Sequence, residues 1–329
     1  MGFVCEMKEI KIIADPTKGG DLGNYWHYML GFFLPFLVWL EKNSDDLKDK
    51  KLIIDSCNPM TDRILEEFLK ESLFSYEMKQ LSEKKLEISK KYWKSYREKL
   101  KRRLLKLELK LRGTKASLFI FHEFLEKKDS IIIPRWDVYL ELIGTFPKAY
   151  ESQIMSIRNS LIDWADSPDK ETCGAYTLIL KRSDPPNSTL GKKSIETRWL
   201  KGYGSERRQL QGIDSLYQEL EKRAYNPFIF ASGDHNLKEQ ISAHYRSKTL
   251  IGIRGADLFN MFWMPSNSTV IMQASSGLIN KAAQPILARC CGHQFYEIPH
   301  HGEKSPRLNF ETIKSILNGT RNTKTPNHC

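Results

Sequence analysis

Lys248–Trp263, KTLIGIRGADLFNMFW, runs an apolar strand into Arg254-Gly255-Ala256-Asp257 and then straight into a helical pattern. Gly255 and Ala256 carry almost no side chain, so a ligand can come close to the backbone there. The first N–H groups of the following helix, Ala256–Trp263, have no carbonyl partner, and the macrodipole adds roughly half a positive charge at that end. Phosphates are the natural occupants of such a turn. A plain strand-to-helix turn would carry the same residues, so the sequence on either side has to discriminate.

Strands and helices alternate outward from this turn. Upstream lie a strand at Tyr176–Lys181, a loop with Pro185-Pro186, a helix at Gly212–Ala224, a strand at Pro227–Ala231, a helix at Asn236–Arg246 and the strand Thr249–Ile253. Downstream of Ala256–Trp263 comes a strand at Thr269–Gln273. In the N-terminal half, strands at Lys8–Ala14 and Lys51–Cys57 flank a helix at Asn24–Lys42; Ser117–His122 and Ser130–Pro134 read as further strands before a helix at Glu151–Trp164. Such alternation argues for parallel sheets in an α/β fold. The polar stretch Ala165–Cys173 (ADSPDKETC) is the best linker, so we expect an N-terminal domain at 1–165 and a C-terminal domain at 166–329. Two doubly wound domains would bind their ligand at the carboxyl ends of their strands, in the cleft across which they face each other.

The 329 residues suffice for two cores, typical domains having roughly 100–200. A composition of 40% hydrophobic and 28% charged residues is that of a soluble globular protein. No run of about 20 apolar residues occurs, and the first residues lack the basic-then-apolar layout of a signal peptide. Tyr28–Leu40 (YMLGFFLPFLVWL) comes closest, but it is short and contains Pro35, so it reads as a buried helix. The six cysteines form no C-x-x-C pair, which suits reduced thiols in a cytoplasmic setting.

The formal charge of +11 is local. Between Ser75 and Lys115 stand 15 Lys/Arg against 5 Glu, so this segment holds +10 and the remainder is almost neutral. Its apolar residues, among them Leu86, Trp93, Tyr96, Leu100, Leu104 and Leu107, recur near helical spacing. We read 75–115 as a basic helical insertion in the N-terminal domain. Its function would be a peripheral contact with an anionic membrane, with nucleic acid the less expected partner; a solvated helix packed on its own domain would show the same pattern.

Ala231–Ile271 resembles the signature region of glycosyltransferase family sixty-one, which includes plant xylan arabinosyl- and xylosyltransferases and animal protein O-linked N-acetylglucosaminyltransferases. Gln240, Gly255, Ala256, Asp257, Leu258, Asn260 and Pro265 fall in register with it. Upstream, Leu178–Asp184 (LILKRSD) followed by Arg207-Arg208 is similar to that family's strand-Arg and second Arg. Gly23–Leu37 (GNYWHYMLGFFLPFL) is similar to its Asn-aromatic-aromatic-His helix. The resemblance reaches from residue 23 to about 300 and implies a GT-B architecture: two Rossmann-like domains, the C-terminal one holding the sugar nucleotide and the N-terminal one presenting the acceptor. The chain departs from the pattern at three positions. Arg254 stands where the family has His, Gly31 where it usually has Asp or Glu, and Met272, beside Gln273, where it has Glu.

Displacing a nucleoside diphosphate from a sugar requires neutralisation of the leaving group and a base for the acceptor hydroxyl. There is no Asp-x-Asp to hold a cation, so no metal and no cofactor is expected. Arg182, Arg207, Arg208 and Arg254, with Gly255, Ala256, Asp257 and Asn260 at the helix start, would instead supply guanidinium forks and backbone N–H groups. For the base there are two candidates, His27 beside Asn24 and Asp137 beside Arg135, with Asn24 and Arg135 on the acceptor side. The resemblance then implies an inverting, metal-independent glycosyltransferase moving a sugar, xylose or N-acetylglucosamine, from a UDP-sugar to a glycan or glycoprotein hydroxyl. The alternative that the three departures suggest is a catalytically degenerate scaffold that docks nucleic acid or an anionic surface through its basic helix.

Overall fold

A computed structural model of the chain describes residues 7–14, 22–57, 59–79, 123–165, 175–184, 208–278, 283–301 and 305–322. The chain divides into two compact units, Met1–Ile157 and Arg158–Cys329. Each carries a five-stranded, mainly parallel sheet, as an α/β protein should.

In the first unit the sheet order is β3-β2-β1-β5-β4. Strands β1 (Lys8–Ala14), β2 (Lys50–Asp55), β3 (Ser75–Lys79) and β5 (Ser130–Ile133) are parallel neighbours, and β4 (Leu125–Lys127) adds an antiparallel edge. Strand β3 corrects the reading of the basic segment. Its first five residues alternate half-buried Tyr76 and Met78 with exposed Glu77 and Lys79, a period of two that a sheet edge uses and a helix cannot. Lys51 on β2 pairs with Glu77 across the register, at 2.5 Å. The rest of that segment, and the strand expected at Ser117–His122, lie outside the described residues.

The helix expected at Asn24–Lys42 is three pieces in one continuous rod: α1 (Tyr25–Tyr28), a π turn (Met29–Phe33) and α2 (Leu34–Asn43). Asn24 caps its start by accepting from the Trp26 N–H at 3.1 Å. The π turn precedes Pro35, which has no N–H to return to the Gly31 carbonyl and whose ring would crowd it; the widened turn absorbs that conflict. Residues 28–40 are buried throughout, as a core helix should be. The described part of this unit also has α3 (Pro59–Lys70), α4 (Trp136–Ile143) and α5 (Glu151–Trp164), which runs across the boundary into the second unit, with short 3-10 turns at Asp45–Leu47 and Lys148–Tyr150.

The second unit has β6 (Tyr176–Leu180), β7 (Pro227–Phe230), β8 (Ser247–Ile253), β9 (Thr269–Ser275) and β10 (Gln294–His300), all parallel, in the order β10-β9-β8-β6-β7. Alternation along the strands splits the core. Ile179, Ile251, Ile253, Ile271 and Ile298 face α6 (Ile213–Glu221) and α9 (Phe310–Asn322), burying Leu216, Leu220, Ile313 and Leu317 with them. Each such side chain contributes roughly 1.5–3 kcal/mol of transfer free energy. Gly252, on the other parity, lies against Leu180 and Leu258, so α7 (Leu237–Tyr245), the 256–263 segment and α8 (Gln284–Cys290) belong to the opposite face.

Ala256–Trp263 is a 3-10 helix rather than an α-helix. Six consecutive side chains, Leu258 to Trp263, are buried, so packing sets its pitch rather than helix propensity. Arg158 closes its far end, donating from Nε to the Phe262 carbonyl and from an Nη to that of Met264. A 3-10 turn aligns its peptides less well than an α-helix, so the anion-binding character expected of this turn has to come from side chains.

Candidate active site

In an open α/β sheet the ligand crevice forms outside the carboxyl ends of the strands where the strand order reverses. The first sheet reverses between β1 and β5, the second between β6 and β8. The residues expected to carry chemistry follow these strands.

After β5 the chain passes through Pro134 and Arg135 into α4, whose second residue is Asp137. The two side chains form a fork: Arg135 Nε donates to Asp137 Oδ1 at 2.9 Å and an Arg135 Nη to Oδ2 at 2.8 Å, with both side chains 1% exposed. His27, from α1, completes the group with Nδ1 2.9 Å from Asp137 Oδ2. Burial alone would raise the Asp137 pKa; the Arg135 charge and the hydrogen bonds from His27 and Arg135 overcome it and hold the carboxyl well below the usual carboxylate range. An ionised carboxylate can only accept, so Nδ1 of His27 carries a proton in this contact, and in the neutral imidazole the lone pair is then on Nε2. The imidazole is 24% exposed, enough for a substrate hydroxyl to reach it. The two candidate bases are thus one assembly, in which Asp137 is sealed and His27 is reachable.

Gly31 explains how the carboxylate arrives there. A Cβ at that position would stand 2.5 Å from Asp137 Oδ1 and 2.7 Å from Arg135 Nε. Asp137 therefore fills the space into which a side chain at position 31 would grow, next to the histidine four residues earlier. Asn24, expected on the acceptor side, uses its carboxamide oxygen to cap α1.

In the second unit, Arg182 follows β6 and donates to both Asp257 carboxylate oxygens, at 3.2 and 3.1 Å. Its other Nη reaches the Arg254 carbonyl at 3.4 Å, which Arg208 also contacts at 3.1 Å. Gly255 is extended, with φ −174°, so its lack of a side chain serves clearance rather than an unusual backbone. A Cβ there would stand in direct overlap with the Arg182 guanidinium, at 1.7 Å from an Nη. The guanidiniums of Arg182 and Arg208 thus converge on the Arg254 carbonyl, beside Asp257. Gln284, which no sequence signal marks, donates to the Gly255 carbonyl at 3.3 Å and fixes the turn from α8.

Asn260 is placed differently. It is fully buried, donating to Gln240 at 3.1 Å and accepting from Trp263 Nε1 at 3.1 Å, so its carboxamide ties the 3-10 segment to α7. Ala256 lies in the turn itself, and Arg207 lies outside the described residues. Among the described residues, no three His, Cys, Asp or Glu side chains gather as metal ligands would. No described helix is long and apolar enough to cross a membrane.

Among known families, a model described as Glycosyltransferase 61 matches residues 25–271. The chain belongs to that family. A search of the curated proteins finds no match. The matched span begins one residue after the cap of the His27 helix and ends on β9, so it contains His27, Arg135, Asp137, Arg182, Arg208, Arg254 and Asp257, while Asn24 and Gln284 lie outside it. As a member of glycosyltransferase family 61, the protein is a transferase that moves a sugar from an activated donor to an acceptor.

Proposed function

We propose that the protein is an inverting, metal-independent GT-B-type transferase that carries a sugar from a UDP-sugar to a hydroxyl of a glycan or glycoprotein, with xylose and N-acetylglucosamine the first donors to try. The observation that carries this reading is the His27–Asp137–Arg135 assembly at the strand-order reversal of the first sheet. His27 Nε2 takes the proton of the acceptor hydroxyl as that oxygen attacks the anomeric carbon. Asp137, held ionised by Arg135, stabilises the imidazolium that forms. The anomeric carbon–oxygen bond to the diphosphate breaks, and the diphosphate leaves with the bonding pair. Arg182 and Arg254 neutralise its charge, a role that guanidinium forks suit because they match phosphate oxygens in pairs.

Gly31 is one of the three departures that suggest a degenerate scaffold; the Asp137 carboxylate, brought to the same space from another element, supports the catalytic reading there. Release of UDP from UDP-sugars tests the proposal. Turnover should persist in EDTA, because side chains carry the leaving-group charge. Loss of turnover in chelator, restored by manganese or magnesium, would contradict the metal-independent part.

A further inference from the structure

A cavity of about 490 Å³ lies within the second unit beside the edge strand β7 and α7. It is lined from the β7 side by Phe228 and Phe230, which share one face of that strand with ring centroids 5.8 Å apart, and by Tyr176 from the start of β6. Ala243 of α7 leaves the opposite wall shallow. The strand-order reversal lies between β6 and β8, one strand further in, so this cavity is not the crevice that the arginines occupy. Its volume falls within the roughly 300–1,000 Å³ of small-molecule sites. Phe228 is 42% exposed, so its ring is reachable from the cavity.

The charges at its rim are unequal. Lys238 and Arg246 bring two cations, the ammonium of Lys238 standing over the Trp164 ring at 4.7 Å. Among the described residues the carboxylate lining the cavity is that of Glu239, which already accepts from the Asn236 N–H at 2.9 Å in the cap of α7 and pairs with His235 Nδ1 at 3.2 Å. His235 in turn stacks flat on Phe230, with centroids 4.4 Å apart. An apolar floor with a surplus of positive charge at its edge is complementary to an amphiphile with one anionic end. We propose that this cavity binds an organic anion made of an apolar body joined to a single carboxylate or phosphate, the body on Phe228 and Phe230 and the head on Arg246.

Calorimetric titration of the whole chain with dodecanoate and with dodecyl phosphate, below their micellar range, tests this and shows which head group is preferred. The proposal expects saturable one-site binding of at least one of them. Dodecanol should bind at least tenfold more weakly, as should the anion to Arg246→Gln, and Ala243→Trp should abolish binding while UDP binding is unchanged. Phe228→Ser, at an exposed position that leaves the fold unburdened, should weaken the anion as well. Absence of saturable binding, equal binding of dodecanol, or indifference to both Arg246→Gln and Phe228→Ser would overturn the proposal.

Discussion

At the residue scale, the account rests on a histidine and an aspartate 110 positions apart. Both are visible in the sequence as candidate bases, but their pairing is not, because nothing along the chain says that α4 meets the π turn. Gly31 shows the same limit from the other side. Compared position by position it reads as a missing carboxylate; in space it is the clearance that lets Asp137 in. Gly31→Ala should therefore be far from neutral. The added Cβ meets a buried ion pair with both side chains 1% exposed, so overpacking should cost about 1–3 kcal/mol. Denaturant unfolding would measure this, and catalytic turnover should fall beyond the loss of folded protein. Asp137→Asn is expected to be harsher, about 3–5 kcal/mol, because it removes one charge of a buried ion pair in which both side chains are 1% exposed. A melting temperature unchanged by Asp137→Asn would show that the fork is not part of the core.

At the scale of elements, the alternation of strands and helices was readable because buried parallel strands are apolar runs and amphipathic helices separate them. In the first unit β3, β4, α3 and α4 escaped, and in the second β10, α8 and α9, since Gln294–His300 mixes polar and apolar residues and α8 is short. The pitch of Ala256–Trp263 also escaped, being set by partners the sequence does not display. Gly255→Ala tests what this turn does. Its Cβ would meet the mobile end of Arg182, which can swing away at little cost to the fold, so stability should hold while affinity for UDP falls about tenfold, on the order of 1.4 kcal/mol. Unchanged affinity would remove Arg182 from the donor site.

The face that α7 and the 3-10 segment cover also carries a pH dependence. His244 and His293 are buried, and desolvation lowers each to about 4 against a backbone hydrogen bond that raises it. Because the folded values lie below the unfolded value near 6.5, the unfolded chain takes up protons first as pH falls. The stability associated with neutral His244 and His293 is therefore complete above about pH 6.5 and is lost progressively down to about pH 4. Urea midpoints at pH 7 and pH 5 should differ, and His244→Gln should reduce the difference; equal midpoints would contradict the assignment.

For the whole molecule, two sheets reverse their strand order, and each reversal carries a group suited to one half of glycosyl transfer: a held imidazole in one unit, a cluster of guanidiniums in the other. The α/β class was legible from alternation. The roles were not, because a basic or acidic residue after a strand becomes a site only through the partners that orient it. The most direct measurement is UDP release from a panel of UDP-sugars by the wild-type chain, by His27→Gln and by Arg182→Ala. The account predicts release from at least one donor, with a loss of about a hundredfold or more in His27→Gln, general base catalysis being worth roughly 10²–10⁴-fold. It also predicts weakened donor affinity in Arg182→Ala. Wild-type release that His27→Gln matches would contradict it.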